Sequence, residues 1–343
     1  MNELRRKNEA AGRKLRMKCL VLDYGGSSVK YALVNDRAEM EVTGTGPAPI
    51  DSTESFLDSV AQLYEQFRDH ADGIAMSLPG FIDPHTGEHF GSGVYGDILK
   101  GKNVIALVKE RCGCNVSLEN DGKCGALAEA WKGSLSDVKN GAVLVLGSGV
   151  GGGVIIDGKV LHGRNTTAGE FSFLLGGKRH NLFDTGFMSV GVMGLTYQLC
   201  KLKNLDFSVQ DAAPMMSFFD TIAGDQYPKF SEPPKPIKAD GRQFFKWVEE
   251  GDPDACRVYR DFLHSLAMLC ENIQITLAPD RIVIGGGLSR ADRLLDDLRA
   301  EIDALCRDTM IADEMKAEVV RSRYLNECNI LGAMYNYIQQ YGA

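Results

Sequence analysis

No apolar run in this 343-residue chain approaches the roughly 18 residues that a membrane span needs. The basic stretch MNELRRKNEAAGRKLRMK has no apolar segment behind it, so residues 1–17 read as a tail rather than a signal or an anchor. A cytoplasmic protein is the expectation. Positive charge is also short: the formal net charge is −8, against the broad basic face that nucleic-acid binding requires, and a small-molecule partner is favoured. The nine cysteines are odd in number and scattered, which argues for reduced thiols over a disulfide framework. Cys112 and Cys114 lack a second pair or a nearby His to complete a zinc tetrahedron. With 44% hydrophobic and 24% charged residues, the composition is that of a globular protein, and the length implies two domains with a cleft.

What is present is a set of Gly-rich turns between apolar runs. CLVLD, YGGSS and VKYALVND read as strand, turn and strand, and about 120 residues later AVLVL, GSGVGGG and VIIDGKVL repeat the layout, which suggests two similar α/β halves facing each other. Between them, residues 51–54 (DSTE) read as a capping box for an amphipathic helix through Phe56, Leu57, Val60 and Tyr64. GIAMSLPG reads as a buried strand ending in a turn at Pro79 and Gly80, residues 103–111 as a helix, and NVSLEND as a strand whose carboxyl end is Asn120 and Asp121. Open α/β sheets expose functional groups at that position. Residues 201–245 are polar, contain PPKP at 233–236, and read as a surface insertion or lid without defined structure. Asp252 and Pro253 start a long helix, RIVIGGGLS is strand then turn, and residues 330–338 form a last helix.

Two near-matches to nucleotide motifs fail on context. Residues 147–152 (GSGVGG) satisfy G-x-G-x-x-G but precede a strand, and residues 96–102 resemble a P-loop whose next residue, Asn103, stands where a Ser or Thr should bind metal. The two hairpin turns remain, with backbone N–H groups that can meet an anion because Gly allows close approach and positive φ. Asp23, beside the first turn, would repel a phosphate unless a divalent cation lay between them, so its expected role is to hold Mg²⁺ through water; the alternative is a turn-capping Asp. Asn120 and Asp121 likewise could simply cap the next helix.

DYGGSSVK, PGFIDPHTGE, ENDGKCGALAEAWKG, LGSGVGGGVIIDGKVLHG, AGEFSF and IVIGGGLS resemble, in the same order, the motifs of the ROK family of bacterial sugar kinases and related repressors. That resemblance implies an α/β, two-domain actin-like ATPase (ribonuclease H-like) fold with a cleft between domains. It implies a small domain over 18–118, with the helix 328–343 packing back on it, and a large domain over 119–327 carrying the insertion 201–245. It implies ATP and Mg²⁺ as cofactors and a homodimer. Site residues carry over position by position: Asp23, Gly25, Gly26, Ser27, Gly147, Ser148 and Gly149 on the phosphates, Gly285, Gly286 and Gly287 on the adenosine, Asp121 as catalytic base, and Asn120, Glu170, Phe173 and Gly80 on the sugar.

The departures point to a branch. Family members commonly continue from the Glu of A-G-E to Gly-His and then a Cys-rich zinc loop; here the His position is Phe173, and residues 174–190 contain no Cys, so no structural zinc site is expected. The usual second sugar-binding Glu is missing near Phe187 and Met188. Loss of polar groups there makes room for a substituent on C1, as in zinc-less members that include β-glucoside kinases. The expected activity is transfer of the ATP γ-phosphate to the 6-hydroxyl of a hexose or a β-linked glucoside. A ROK repressor, which carries a helix-turn-helix ahead of the first phosphate motif, and a catalytically altered sugar-binding protein are the alternatives.

Overall fold

A computed structural model describes residues 17–178, 181–211, 213–224, 227–324 and 327–342; residues 1–16 of the basic tail lie outside the described residues. The chain divides into two compact units. Among the described residues, one unit is drawn from 17–132, 162–168 and 327–342, the other from 133–161 and 169–324.

In the first unit, β1 (Lys18–Tyr24), β2 (Ser28–Asn35), β3 (Met40–Pro47), β4 (Gly73–Leu78) and β8 (Asn115–Asn120) make one sheet in the order β3-β2-β1-β4-β8. β1 pairs antiparallel with β2 and parallel with β4, and β4 runs parallel to β8. β4 is buried at every residue, which is why its sequence is a continuous apolar run rather than an alternation. β5 (Phe81–Ile82), β6 (Glu88–Gly91) and β7 (Lys102–Asn103) form a small second sheet.

Helices α1 (Thr53–Phe67), α2 (Val104–Cys112) and α3 (Asp121–Lys132) belong to the same unit, as does the last helix of the chain, Cys328–Tyr341. The capping box of α1 sits one residue later than the pattern DSTE predicted. The Ser52 hydroxyl accepts from the Ser55 N–H at 3.1 Å, and the Ser55 hydroxyl accepts from the Ser52 N–H at 3.1 Å. A serine pair therefore does what the expected acid would have done. The last helix lies against α3 closely enough that a Cβ on Gly332 would overlap the carbonyl oxygen of Cys124.

The second unit repeats the sheet. β9 (Gly141–Leu146), β10 (Val150–Ile156), β11 (Lys159–Val160), β12 (Arg281–Gly286) and β13 (Val319–Arg321) run in the order β11-β10-β9-β12-β13, again three antiparallel strands followed by two parallel ones. The duplicated strand-turn-strand pattern thus corresponds to a duplicated sheet. The second turn is shorter than its glycine run suggested. Only Gly147, Ser148 and Gly149 leave the ladder, and Val150, Gly151, Gly152 and Gly153 are already in β10.

Residues 201–245 differ from the expected unstructured lid. α4 (Val192–Lys203) runs into the segment, and α5 (Ala213–Ala223) and α6 (Gly241–Glu249) follow within it or from it. Met216, Phe219 and Ala223 of α5 join Phe183, Met188 and Tyr197 in an apolar cluster of their own. The polar average of the segment concealed this aromatic content. Beyond it, α7 (Pro253–Leu277) starts as the sequence predicts, with the Asp252 carboxylate accepting from the Ala255 N–H at 3.0 Å, and α8 (Leu294–Thr309) packs beside it.

Candidate active site

Parallel strands that end at the same level expose their last residues on one edge of a sheet. In the first unit, Asp23 of β1 is level with Ser77 of β4, and Leu78 is level with Asn120 of β8. Asp23 is 8% exposed. Its Oδ1 accepts from the Ser77 hydroxyl at 2.8 Å and from the Asn329 side-chain amide at 3.1 Å. Burial raises its affinity for a proton, and those two hydrogen bonds and the charge of Lys30 offset this only in part. A cation bound beside this buried carboxylate would return it to its charged form.

The adjacent turn at Gly25, Gly26 and Ser27 is held from below. The Gly25 N–H donates to the Ser28 carbonyl at 2.9 Å, and its own carbonyl accepts from the Tyr95 hydroxyl at 3.1 Å. Positive φ, expected at these glycines, is not what they supply: neither Gly25 nor Gly26 adopts it, nor do Gly147 and Gly149. At Gly149 the turn needs absence of a side chain, whereas Gly147 has open space where a Cβ would lie. A Cβ on Gly149 would stand 2.6 Å from Phe187 Cδ2 and 2.8 Å from Ser172 Oγ.

Asp121 is the first residue of α3, directly after β8. Its Oδ1 accepts from the Gly122 N–H at 2.8 Å and from the Asn120 side-chain amide at 3.0 Å. Asn120 also caps the helix, its Oδ1 accepting from the Lys123 N–H at 3.1 Å, while its amide donates to the Gly80 carbonyl at 3.0 Å. Asn120 therefore both caps and orients Asp121. Gly80 has φ +117°, a conformation that favours glycine, and a Cβ there would meet His89 Nε2 at 2.6 Å. His89 is fully buried. Its Nδ1 accepts from the Gly91 N–H, which leaves Nε2 to donate to the Pro79 carbonyl, and burial lowers its pKa.

Sequence reasoning passed over several neighbours. Glu119 is fully buried, accepts the Asn120 N–H at 2.7 Å, and pairs with His162 Nε2 at 2.7 Å, fixing the backbone one residue before the candidate base. Glu119, Asp23 and Asp121 all act on the buried Cys124 thiol, which burial and their negative charge push upward. Ser77 was legible as the lone polar residue of an apolar strand, whereas Glu119 shares its strand with Asn115, Ser117 and Asn120. Asn329 was not, because nothing near it in sequence points to Asp23.

The second unit holds the other candidates. Gly286 of β12 is level with Leu146 of β9, so the turn after β9 and the turn after β12 are neighbours. Gly286 has φ +84°, and Gly287 has open space where a Cβ would lie. Two adjoining cavities follow these turns. One of about 650 Å³ is lined by Gly287, Arg242, Phe245 and Arg290, the other of about 170 Å³ by Ser148, Met193 and Thr196, and Val192 and Asp240 belong to both. The larger lies within the range of small-molecule sites. The Val192 and Met193 N–H groups at the start of α4 donate to the Gly147 and Ser148 carbonyls at 2.9 and 3.0 Å, fixing the turn. Glu170 precedes a helical turn, Phe171–Phe173, in which Phe171 is buried and Phe173 is 61% exposed. The loop beyond is closed by a bridge between Leu175 and Thr185.

The ROK family model matches residues 19–185 and 211–340. The chain belongs to the ROK family. Its fold is the two-domain actin-like ATPase fold of ROK sugar kinases. The chain is similar to N-acetyl-D-glucosamine kinase of Vibrio parahaemolyticus, 27% identical over 92% of this chain and 98% of the relative. It is also similar to β-glucoside kinase of Listeria innocua, 24% identical over 94% and 98%. Among solved structures, it is similar to a ROK family protein from Streptococcus pneumoniae in complex with sucrose, with a TM-score of 0.75 and 20% identity, covering 95% of this chain and 99% of that one. No helix among the described residues is long and apolar enough to cross a membrane.

Proposed function

We propose that this ROK family chain is an ATP-dependent sugar kinase in which Asp121 is the general base. The observation that carries the reading is a carboxylate at the carboxyl end of a parallel strand, with one oxygen fixed by the Gly122 N–H and the Asn120 amide. A sugar hydroxyl is a weak nucleophile. In this reading the second oxygen of Asp121 takes its proton as the hydroxyl oxygen bonds to the γ-phosphorus and the bond to ADP breaks. Gly25, Gly26, Ser27, Gly147, Ser148 and Gly149 meet the phosphates, and Gly285, Gly286 and Gly287 border the adenosine. Asp23, oriented by Ser77 and Asn329, is the residue that would hold Mg²⁺. The metal neutralises charge on the phosphates.

For the acceptor, Asn120, Glu170, Phe173 and Gly80 are the assigned contacts. An aromatic ring 61% exposed where family members commonly place His favours a second sugar ring over a free reducing end, and so a β-linked glucoside phosphorylated at its 6-hydroxyl. The relatives named N-acetyl-D-glucosamine kinase support the second reading, a free hexose. A cytoplasmic homodimer completes the proposal, on the family resemblance.

The test is ATP consumption with glucose, N-acetylglucosamine, N-acetylmannosamine, cellobiose and gentiobiose. Turnover of the disaccharides is expected, and turnover of free monosaccharides alone would reject the glucoside reading. Asp121→Asn is expected to lower turnover by about 10²–10⁴-fold while leaving nucleotide affinity unchanged; full activity in that variant would remove the base assignment.

A further inference from the structure

Ser172 lies inside the motif AGEFSF, and its hydroxyl is the one polar side-chain group between Glu170 and Phe173. That hydroxyl grips one residue from both sides. It accepts from the Val150 N–H at 2.8 Å and donates to the Val150 carbonyl at 3.1 Å. Val150 is the first residue of β10 after the turn of Gly147, Ser148 and Gly149, and Ser172 lies two residues after Glu170 and one before Phe173.

Packing reinforces the same link. The space that a Cβ of Gly149 would need is filled by Ser172 Oγ and by the Phe187 ring, and a Cβ on Gly152 would meet the buried Phe171 ring at 2.7 Å. Phe187 in turn packs edge-on against Phe219 of α5, with ring centroids 6.2 Å apart. The turn after β9 and the segment from Glu170 to Phe173 are thus joined by a two-way hydrogen bond and by close-packed rings.

We propose that Ser172 is a positioning residue that makes the phosphate-facing turn and the sugar-facing segment move as one body, so that occupancy of either raises affinity for the other. The inference rests on the kinase reading above. Coupling of this kind is reciprocal, with a factor of about five or more in typical cases. Removing the hydroxyl leaves each group of contacts in place but lets the turn settle without the segment.

The test compares the native protein with Ser172→Ala and Ser172→Gly, the second removing the hydroxyl without any Cβ should the first not fold. The KM for the sugar turned over fastest in the panel is measured at saturating and at limiting Mg-ATP. The native protein is expected to bind sugar at least about five-fold more tightly at saturating nucleotide. Both variants are expected to bring that ratio near one, with kcat at saturation of both substrates falling less than the ratio does. A variant that keeps the native ratio, or a native ratio near one, overturns the inference and leaves the kinase reading standing. No turnover of any sugar by the native protein overturns the kinase reading and this inference with it.

Discussion

Asp23, next to last in β1, and Asp121, directly after β8, lie at the carboxyl ends of strands of the same sheet, yet their partners differ. The oxygen of Asp121 is held by a backbone N–H and a neighbouring amide, whereas Asp23 is buried and its Oδ1 meets the Ser77 hydroxyl and the Asn329 amide. Because burial raises the proton affinity of Asp23 in the folded state, its protonated form is the one that folding favours. Its contribution to stability is complete below the ordinary carboxylate range, about 3.9, and is lost as pH rises through the folded value. Asp23→Asn keeps an oxygen for Ser77 and Asn329. In the absence of Mg²⁺ this variant is expected to melt no lower than the native protein at neutral pH, the difference closing as pH falls toward about 4, while its kinase turnover drops. Melting curves of both proteins across a pH series check it; a variant that melts below the native protein at neutral pH, with the gap closing toward acid, would show that the charged form is the stabilised one.

The polar residues that organise these two acids were unevenly legible. Asp121, Asn120 and Asp23 stood out because each interrupts an apolar strand at its end. The partners of Asp23 and the pairing of Glu119 with His162 depend on which strand lies beside which, and a single sequence does not encode that in any local pattern.

Helices and strands were easier to read than their packing. Continuous apolar runs marked β1, β4, β9 and β12 because these strands are buried on both faces. The region 201–245 was misread because proline and charge dominate its average, while Met216, Phe219 and Ala223, spaced along one face of α5, decide its structure. Of the two properties expected of the turn glycines, close approach is met at Gly149, whereas Gly25, Gly26, Gly147 and Gly149 do not adopt positive φ. Gly332 is another position of close approach. Since its hydrogen faces the Cys124 carbonyl, Gly332→Ala must push the last helix off α3, and a loss of about 1–3 kcal/mol is expected, at or above the usual cost of overpacking. Chemical denaturation measures it, and a change below about 0.5 kcal/mol, the size of an ordinary surface substitution, would mean that the two helices are not packed this tightly.

At the scale of the molecule, two sheets of identical order bear out the repeat heard in the sequence, and the ordered motifs identified the family. The nine cysteines are all free thiols. The loop after Phe173 is closed by backbone pairing of Leu175 with Thr185 and by the aromatic cluster around Phe219 rather than by a Cys-rich motif. Kinase activity is accordingly expected to survive a zinc-selective chelator, and to be abolished by a chelator that also strips Mg²⁺ and restored when Mg²⁺ is added back. Loss of activity with the zinc-selective reagent alone would contradict this account of the loop.

The first sheet is completed by residues that come last in the chain: the helix Cys328–Tyr341 covers β1, β4 and β8 and supplies Asn329 to Asp23. A ribosome that has just released β1, β4 and β8 has therefore made strands whose cover is still some two hundred residues from being translated. Until it emerges, their apolar surface must be shielded by something else, and the nascent chain is at its most dependent on chaperones during synthesis of the second half.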